Sequence, residues 1–160
     1  VQDIDNSALI GYPIFLTIAL ISATITITFL YINIENLHRN LDIREVEEQL
    51  SLIVSKAETM DIYDSNNTIQ TLNINLPDTL YIAVLGGIPS DTGEPIISNE
   101  TCNQYYYIMK DGTIKIYHSK VSFTFGESNK DVILTPGRHT ITLKLYEKNG
   151  RSYVTVYRKQ

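Results

Sequence analysis

Cysteine is almost absent. Cys102 stands alone, so no intrachain disulfide can form, and a metal site would need ligands of other kinds. Charge of either sign is missing from Asn6–Ile34, NSALIGYPIFLTIALISATITITFLYINI, which holds no Lys, Arg, Asp, Glu or His. Glycine and proline are missing between Pro13 and Met60, so nothing in that interval breaks a helix. A basic stripe is also missing. The net charge is −5 with both signs scattered, which excludes a general nucleic-acid binder. No glycine loop suits a phosphate, because Gly86-Gly87 is followed by Ile88-Pro89 and not by a helix. His38, His118 and His139 lack zinc-ligand spacing with one another or with Cys102. Nothing marks a nucleophile. The expectation is a protein with no catalytic residues, no cofactor and no metal.

What is present organises the chain. About 20 apolar residues cross a bilayer as a helix, and Asn6–Ile34 is longer than that. Ser22, Thr24, Thr26 and Thr28 interrupt it, but a hydroxyl can bond back to a carbonyl of its own helix. Asp3, Asp5, Asn6 and Ser7 are plausible N-caps, and carboxylates suit the positive end of a helix dipole. Pro13 lies in the first turns and predicts a kink or a locally loosened helix.

From Glu35 the pattern is amphipathic. Ile34, Leu37, Leu41, Ile43, Val46, Leu50, Ile53, Val54 and Ala57 recur at helical spacing, with charged residues between them. One continuous helix from about Ser7 to about Lys56 is expected, with an apolar stripe on its second half that requires a domain to cover it.

After Asp61 short alternating runs follow: Thr68–Asn75, Thr79–Leu85, Gln104–Met109, Thr113–His118, Val121–Phe125, Arg138–Tyr146 and Ser152–Arg158. Asp111-Gly112 and Asn149-Gly150 between such runs mark hairpins. The spacing predicts an antiparallel sandwich or barrel. The chain therefore reads as α+β, with an N-terminal helix over 1–60 and a β-sandwich head over 61–160. No linker rich in Gly, Ser or Pro separates them, so the two are expected to pack together.

Several local features admit a bland reading. Asp61, Asp64 and Asn66 share a loop but lack calcium-loop spacing, which leaves a solvated turn. Tyr105–Tyr107 suggests a sugar platform, but alternation puts Tyr106 opposite Tyr105 and Tyr107, as core and rim packing requires. Asn66-Asn67-Thr68 and Asn99-Glu100-Thr101 are N-glycosylation sequons in expected loops, making Asn66 and Asn99 candidate sites.

The layout resembles type IV pilins and their archaeal relatives, including archaellins. The resemblance rests on an N-terminus that immediately enters a long apolar helix, the amphipathic continuation of that helix, and the β-rich C-terminal head. Asp5 matches the family's acidic residue at the fifth mature position, where bacterial members carry Glu. Val1 departs from the methylated Phe of bacterial pilins, and no disulfide closes the head. Both departures point away from bacterial pilins, and an Ig-like sandwich head of about a hundred residues with sequons looks more like the archaeal branch.

The resemblance implies a structural protein trimmed by a prepilin-peptidase-type enzyme to leave Val1. Subunits would wait in the cytoplasmic membrane and then polymerise into an extracellular helical filament of identical subunits, with no nucleic acid. Val1, Asp5 and Pro13 would serve assembly, the Val1 amine pairing with Asp5 of a neighbour. Two alternatives share much of this pattern. One is a membrane-anchored accessory protein of an archaellum or surface layer. The other is a single-pass protein whose extracytoplasmic β-sandwich binds a ligand or protein.

Overall fold

The structure, a computed structural model, describes residues 6–63, 67–92, 94–126, 128–148 and 150–159. One helix, α1, runs from Asn6 to Tyr63 and continues through Pro13. The chain divides into two compact units, 1–41 and 42–160, and α1 contributes to both.

In the second unit, α1 is followed by β1 (Ile69–Leu76), β2 (Leu80–Leu85), the short pair β3 (Ile88–Pro89) and β4 (Pro95–Ile96), and β5 (Gln104–Met109). Then come β6 (Ile114–His118), β7 (Ser122–Phe125), a 3-10 turn at Asn129–Val132, β8 (Ile133–Leu134), β9 (Gly137–Lys148) and β10 (Arg151–Lys159). One sheet has the order β1-β9-β10-β7 and another the order β6-β5-β2-β8. All pairings are antiparallel except β7 with β10, which is parallel.

The expected hairpins form. Lys148 faces Arg151 in the β9–β10 register, and Gly150 has a φ of +72°. At the β5–β6 turn, Gly112 has a φ of +87° and the Asp111 carboxylate accepts the Thr113 N–H at 2.8 Å.

The core explains why α1 belongs to the head from Asp42 onward. Val46, Leu50, Ile53, Val54, Ala57 and Met60 fall on one helical face and are buried. They share a cluster with Ile74, Ile141, Leu143 and Val156 of one sheet and Leu80, Leu85, Tyr107 and Met109 of the other. The stripe read from the sequence as wanting a cover is covered only in part. Ile43 joins the cluster, but Ile34, Leu37 and Leu41 stay exposed.

Candidate functional site: a bare apolar helix and the clasp that anchors its continuation

Between Pro13 and Leu41 every large apolar side chain is exposed, from 50% at Leu41 to 72% at Phe15. The threonines of its uncharged part, and Asn33, bond back to the helix's own backbone. Thr17 Oγ1 donates to the Pro13 carbonyl at 2.8 Å, Thr24 to Leu20 at 2.9 Å, Thr26 to Ser22 at 2.9 Å and Thr28 to Thr24 at 2.9 Å. The Asn33 amide donates to the Phe29 carbonyl at 2.7 Å. Each bond satisfies a donor that an apolar medium could not, so the uncharged part of the helix carries its threonine hydroxyls already paired. Among the described residues this helix alone is long and apolar enough to cross a membrane, and its most apolar stretch is wholly unburied.

The helix of the second unit is held by polar contacts as well as by its core. Glu47 lies at the centre. One carboxylate oxygen accepts the Tyr107 hydroxyl at 2.9 Å, the Tyr117 hydroxyl at 2.7 Å and the Lys115 ammonium at 2.6 Å. These partners come from β5 and β6, where residues two apart in a strand and opposite across the ladder share a face. Tyr117 stacks between Tyr105 and Tyr107, with ring centroids 5.3 and 6.4 Å away. At the two ends of this helical segment, the Thr79 hydroxyl donates to Asp42 at 2.9 Å and the Lys120 N–H to Glu58 at 3.1 Å.

These contacts set the ionisation of the clasp. Lys115 holds Glu47 below its ordinary carboxylate value, the Tyr117 and Tyr107 hydroxyls act in the same direction, and desolvation opposes them. Burial pushes Tyr117 up to about 12, with its bond to Glu47 adding to the shift. Burial likewise raises Tyr107, again reinforced by Glu47.

The pH dependence follows in sign. Glu47 is depressed in the folded state, so its contribution is present above the unfolded carboxylate pKa and lost as pH falls through the folded value. Tyr117 is raised, so its contribution is complete below the ordinary tyrosine value and lost between about 10 and about 12. Thermal melts across pH are expected to show both losses in the wild type. In Glu47→Gln the acid loss should shrink; an unchanged acid limb would remove Glu47 as its source.

Tyr106 differs in its hydrogen bonding. It is fully buried on the other face of the sheet, and among the described residues its hydroxyl has no hydrogen-bond partner. An unsatisfied buried hydroxyl costs free energy, whereas a bond to a charged group contributes it. Tyr106→Phe is therefore expected to raise stability by roughly 1 kcal/mol and Tyr107→Phe to lower it by about 1.5 kcal/mol. Denaturant melts of the two variants test the contrast, and equal effects would contradict it.

The residues singled out from sequence fall as follows. Val1, Asp5, Asp64 and Asn66 lie outside the described residues. Pro13 is exposed inside α1. Asn99 is exposed in the loop before β5. Its carbonyl accepts the Cys102 thiol at 3.0 Å. His139 bonds the Thr135 carbonyl at 2.7 Å, and no cluster of His, Cys, Asp or Glu fit for a metal occurs among the described residues.

Tyr105 and Tyr107 do share a face with Tyr106 opposite, as alternation requires. Sequence reading missed Glu47 as the hub. The charges around it look like any solvated helix face, and alternation in Ile114-Lys115-Ile116 reads as the isoleucines facing inward, so nothing in the sequence pointed Lys115 toward Glu47.

No family profile matches the chain, and no curated protein and no solved structure matches it significantly. The geometry therefore carries the functional argument. The chain combines an α+β head that satisfies its own core with an apolar helix of membrane-spanning length.

Proposed function

We propose that this protein is the structural subunit of an extracellular filament of the type IV pilus kind, closest in character to the archaeal branch. It polymerises through the exposed apolar surface of α1, and the β-rich unit forms the outer coat. In this reading the two four-stranded sheets are the Ig-like sandwich head, with the parallel β7–β10 pairing as a departure from a wholly antiparallel one. The supporting observation is the exposed, uncharged helix surface whose hydroxyls are bonded internally. Such a surface is excluded from water equally well by lipid and by neighbouring helices, so a subunit can pass from one to the other at modest cost.

Electron microscopy of material sheared from cells, with mass spectrometry of the main band, tests the reading. Filaments built from this chain are expected. Recovery only as a lipid-embedded monomer would favour the anchored-protein alternatives instead.

Asp5 supplies a second test. If its carboxylate pairs with the Val1 amine of a neighbour in an apolar filament core, a desolvated ion pair is lost on substitution. Asp5→Ala is then expected to cut filament yield at least tenfold while leaving the melting of the head unchanged. Normal yield would remove the assembly role.

A further inference from the structure

The outer face of the β1-β9-β10-β7 sheet carries an aromatic groove that the filament reading does not use. Tyr146 on β9 and Tyr153 on β10 stand directly opposite one another, with centroids 5.7 Å apart and planes tilted by 32°. Their strand neighbours Leu145 and Val154 point into the core, so the tyrosines point away from it, and both remain half-exposed. Arg151 shares their face two residues before Tyr153 and is exposed, and Thr124 of β7 shares it too. These residues line a groove of about 950 Å³ whose wall also includes Asn99 and Cys102. The wall is fixed in place. Phe123 of β7 donates its N–H to the Cys102 carbonyl at 2.7 Å, and the Cys102 thiol donates to the Asn99 carbonyl at 3.0 Å.

An aromatic pair flanked by a guanidinium and a hydroxyl matches the chemistry of a saccharide. Its C–H faces lie on tyrosine rings, and its hydroxyls take Arg151 and Thr124 as partners. The volume is that of clefts holding ligands of several rings. A source for the sugar stands on the rim, because Asn99 is the acceptor of the Asn99-Glu100-Thr101 sequon.

We infer that Asn99 carries an N-linked glycan whose first sugars lie in this groove against Tyr146 and Tyr153. The inference rests on the part of the functional reading that puts the β-rich unit outside the cytoplasm. In the attachment step Asn99 Nδ2 forms a bond to the anomeric carbon of a lipid-phosphate-activated sugar. The bond from that carbon to the phosphate oxygen breaks, the lipid phosphate departs with the electron pair, and Nδ2 gives up a proton.

The fold also dates the step. The Thr101 hydroxyl accepts the Ser98 N–H at 3.0 Å and lies 3.3 Å from the carbonyls of Ile96 and Ser98, with Thr101 only 8% exposed. A transferase that must grasp that hydroxyl meets it already engaged. The sugar is therefore added before the 98–101 turn closes, and the groove receives it as the head folds.

The test uses the full chain made in a host with an envelope N-glycosylation system. Peptide mass spectrometry is expected to find Asn99 occupied, and NMR to find anomeric and ring protons of the first sugars shifted upfield by the tyrosine rings. Tyr146→Ala and Tyr153→Ala should leave occupancy unchanged, abolish those shifts, and speed endoglycosidase release at least tenfold. Melting curves recorded alongside separate this from loss of fold, and Arg151→Ala, at an exposed position, should give a smaller gain in release rate. Purified folded protein should accept sugar at least tenfold more slowly than denatured protein. Asn66 occupied with Asn99 bare would overturn the inference and leave the extracytoplasmic reading standing. Asn99 occupied with unshifted sugar protons would overturn the groove. Neither sequon occupied would overturn the inference, and the sheared-filament experiment would decide the function separately.

Discussion

Leu50→Ala is expected to cost the β-rich unit about 2–5 kcal/mol, the range for emptying a leucine-sized space in a close-packed core. Leu50 is 1% exposed and shares its cluster with residues of α1 and both sheets, so no neighbouring element is free to collapse into the gap. Leu52 lies two residues away on the same helix and is 47% exposed. Leu52→Ala is expected to change stability by less than about 0.5 kcal/mol. Chemical denaturation of the two variants, followed by tyrosine emission since the chain has no tryptophan, gives a direct comparison. Similar losses at the two positions would mean that α1 is not an integral wall of this core.

A single charge on the bare helix should have the opposite profile. Ile25 is 64% exposed, and the segment around it has no Lys, Arg, Asp, Glu or His. On the proposed function, Ile25→Lys puts an ammonium at the centre of a surface that lies in lipid or against other helices. In lipid the cost is about 2.5–3.5 kcal/mol on insertion scales. Between packed helices, an unpaired buried charge costs as much or more. Membrane retention should fall by tenfold or more and filament yield should drop below detection, while denaturation of the β-rich unit is unaltered. Ile25→Leu keeps the hydrocarbon and should behave as the wild type. Filaments formed normally by Ile25→Lys would show that this face is not buried in assembly. A head destabilised by the same substitution would show that the first unit supports the second, contrary to the self-contained core of residues 42–160.

Much of the architecture was legible because it depends on local rules. An interval free of Gly and Pro becomes a helix where an apolar medium makes the backbone satisfy itself, as in its uncharged half, or where an amphipathic stripe is covered, as in its second half, and α1 runs from Asn6 to Tyr63. Alternation and Asn-Gly or Asp-Gly turns placed β5, β6, β9 and β10 within a residue or two, because a hairpin is specified by its own turn and faces. The two-residue strands β3, β4 and β8 were not legible, since Ile88-Pro89, Pro95-Ile96 and Ile133-Leu134 are too short to show any period. Nor was the parallel β7–β10 pairing, which joins segments distant in sequence with no turn between them to announce it.

The sites divide along the same line. Hydroxyls bonding back to the helix follow from Thr in an uncharged run, and the Asn99 sequon is a string of residues. The Tyr146–Tyr153 and Tyr107–Lys115 pairs follow from their hairpin turns, but bringing Glu47 of α1 to the second pair, and Asn99 and Thr124 beside the first, joins segments distant in sequence, and no spacing along the chain encodes that.

The primary sequence by itself determined that a greasy, uncharged helix precedes a β-rich domain, because hydropathy and turn chemistry act within a few residues of where they are written. Only the tertiary structure decided where the helix stops being bare and becomes a wall of the head. That point falls at Asp42, since burial from Ile43 onward depends on both sheets being close enough to share one core with Val46, Leu50 and Ile53.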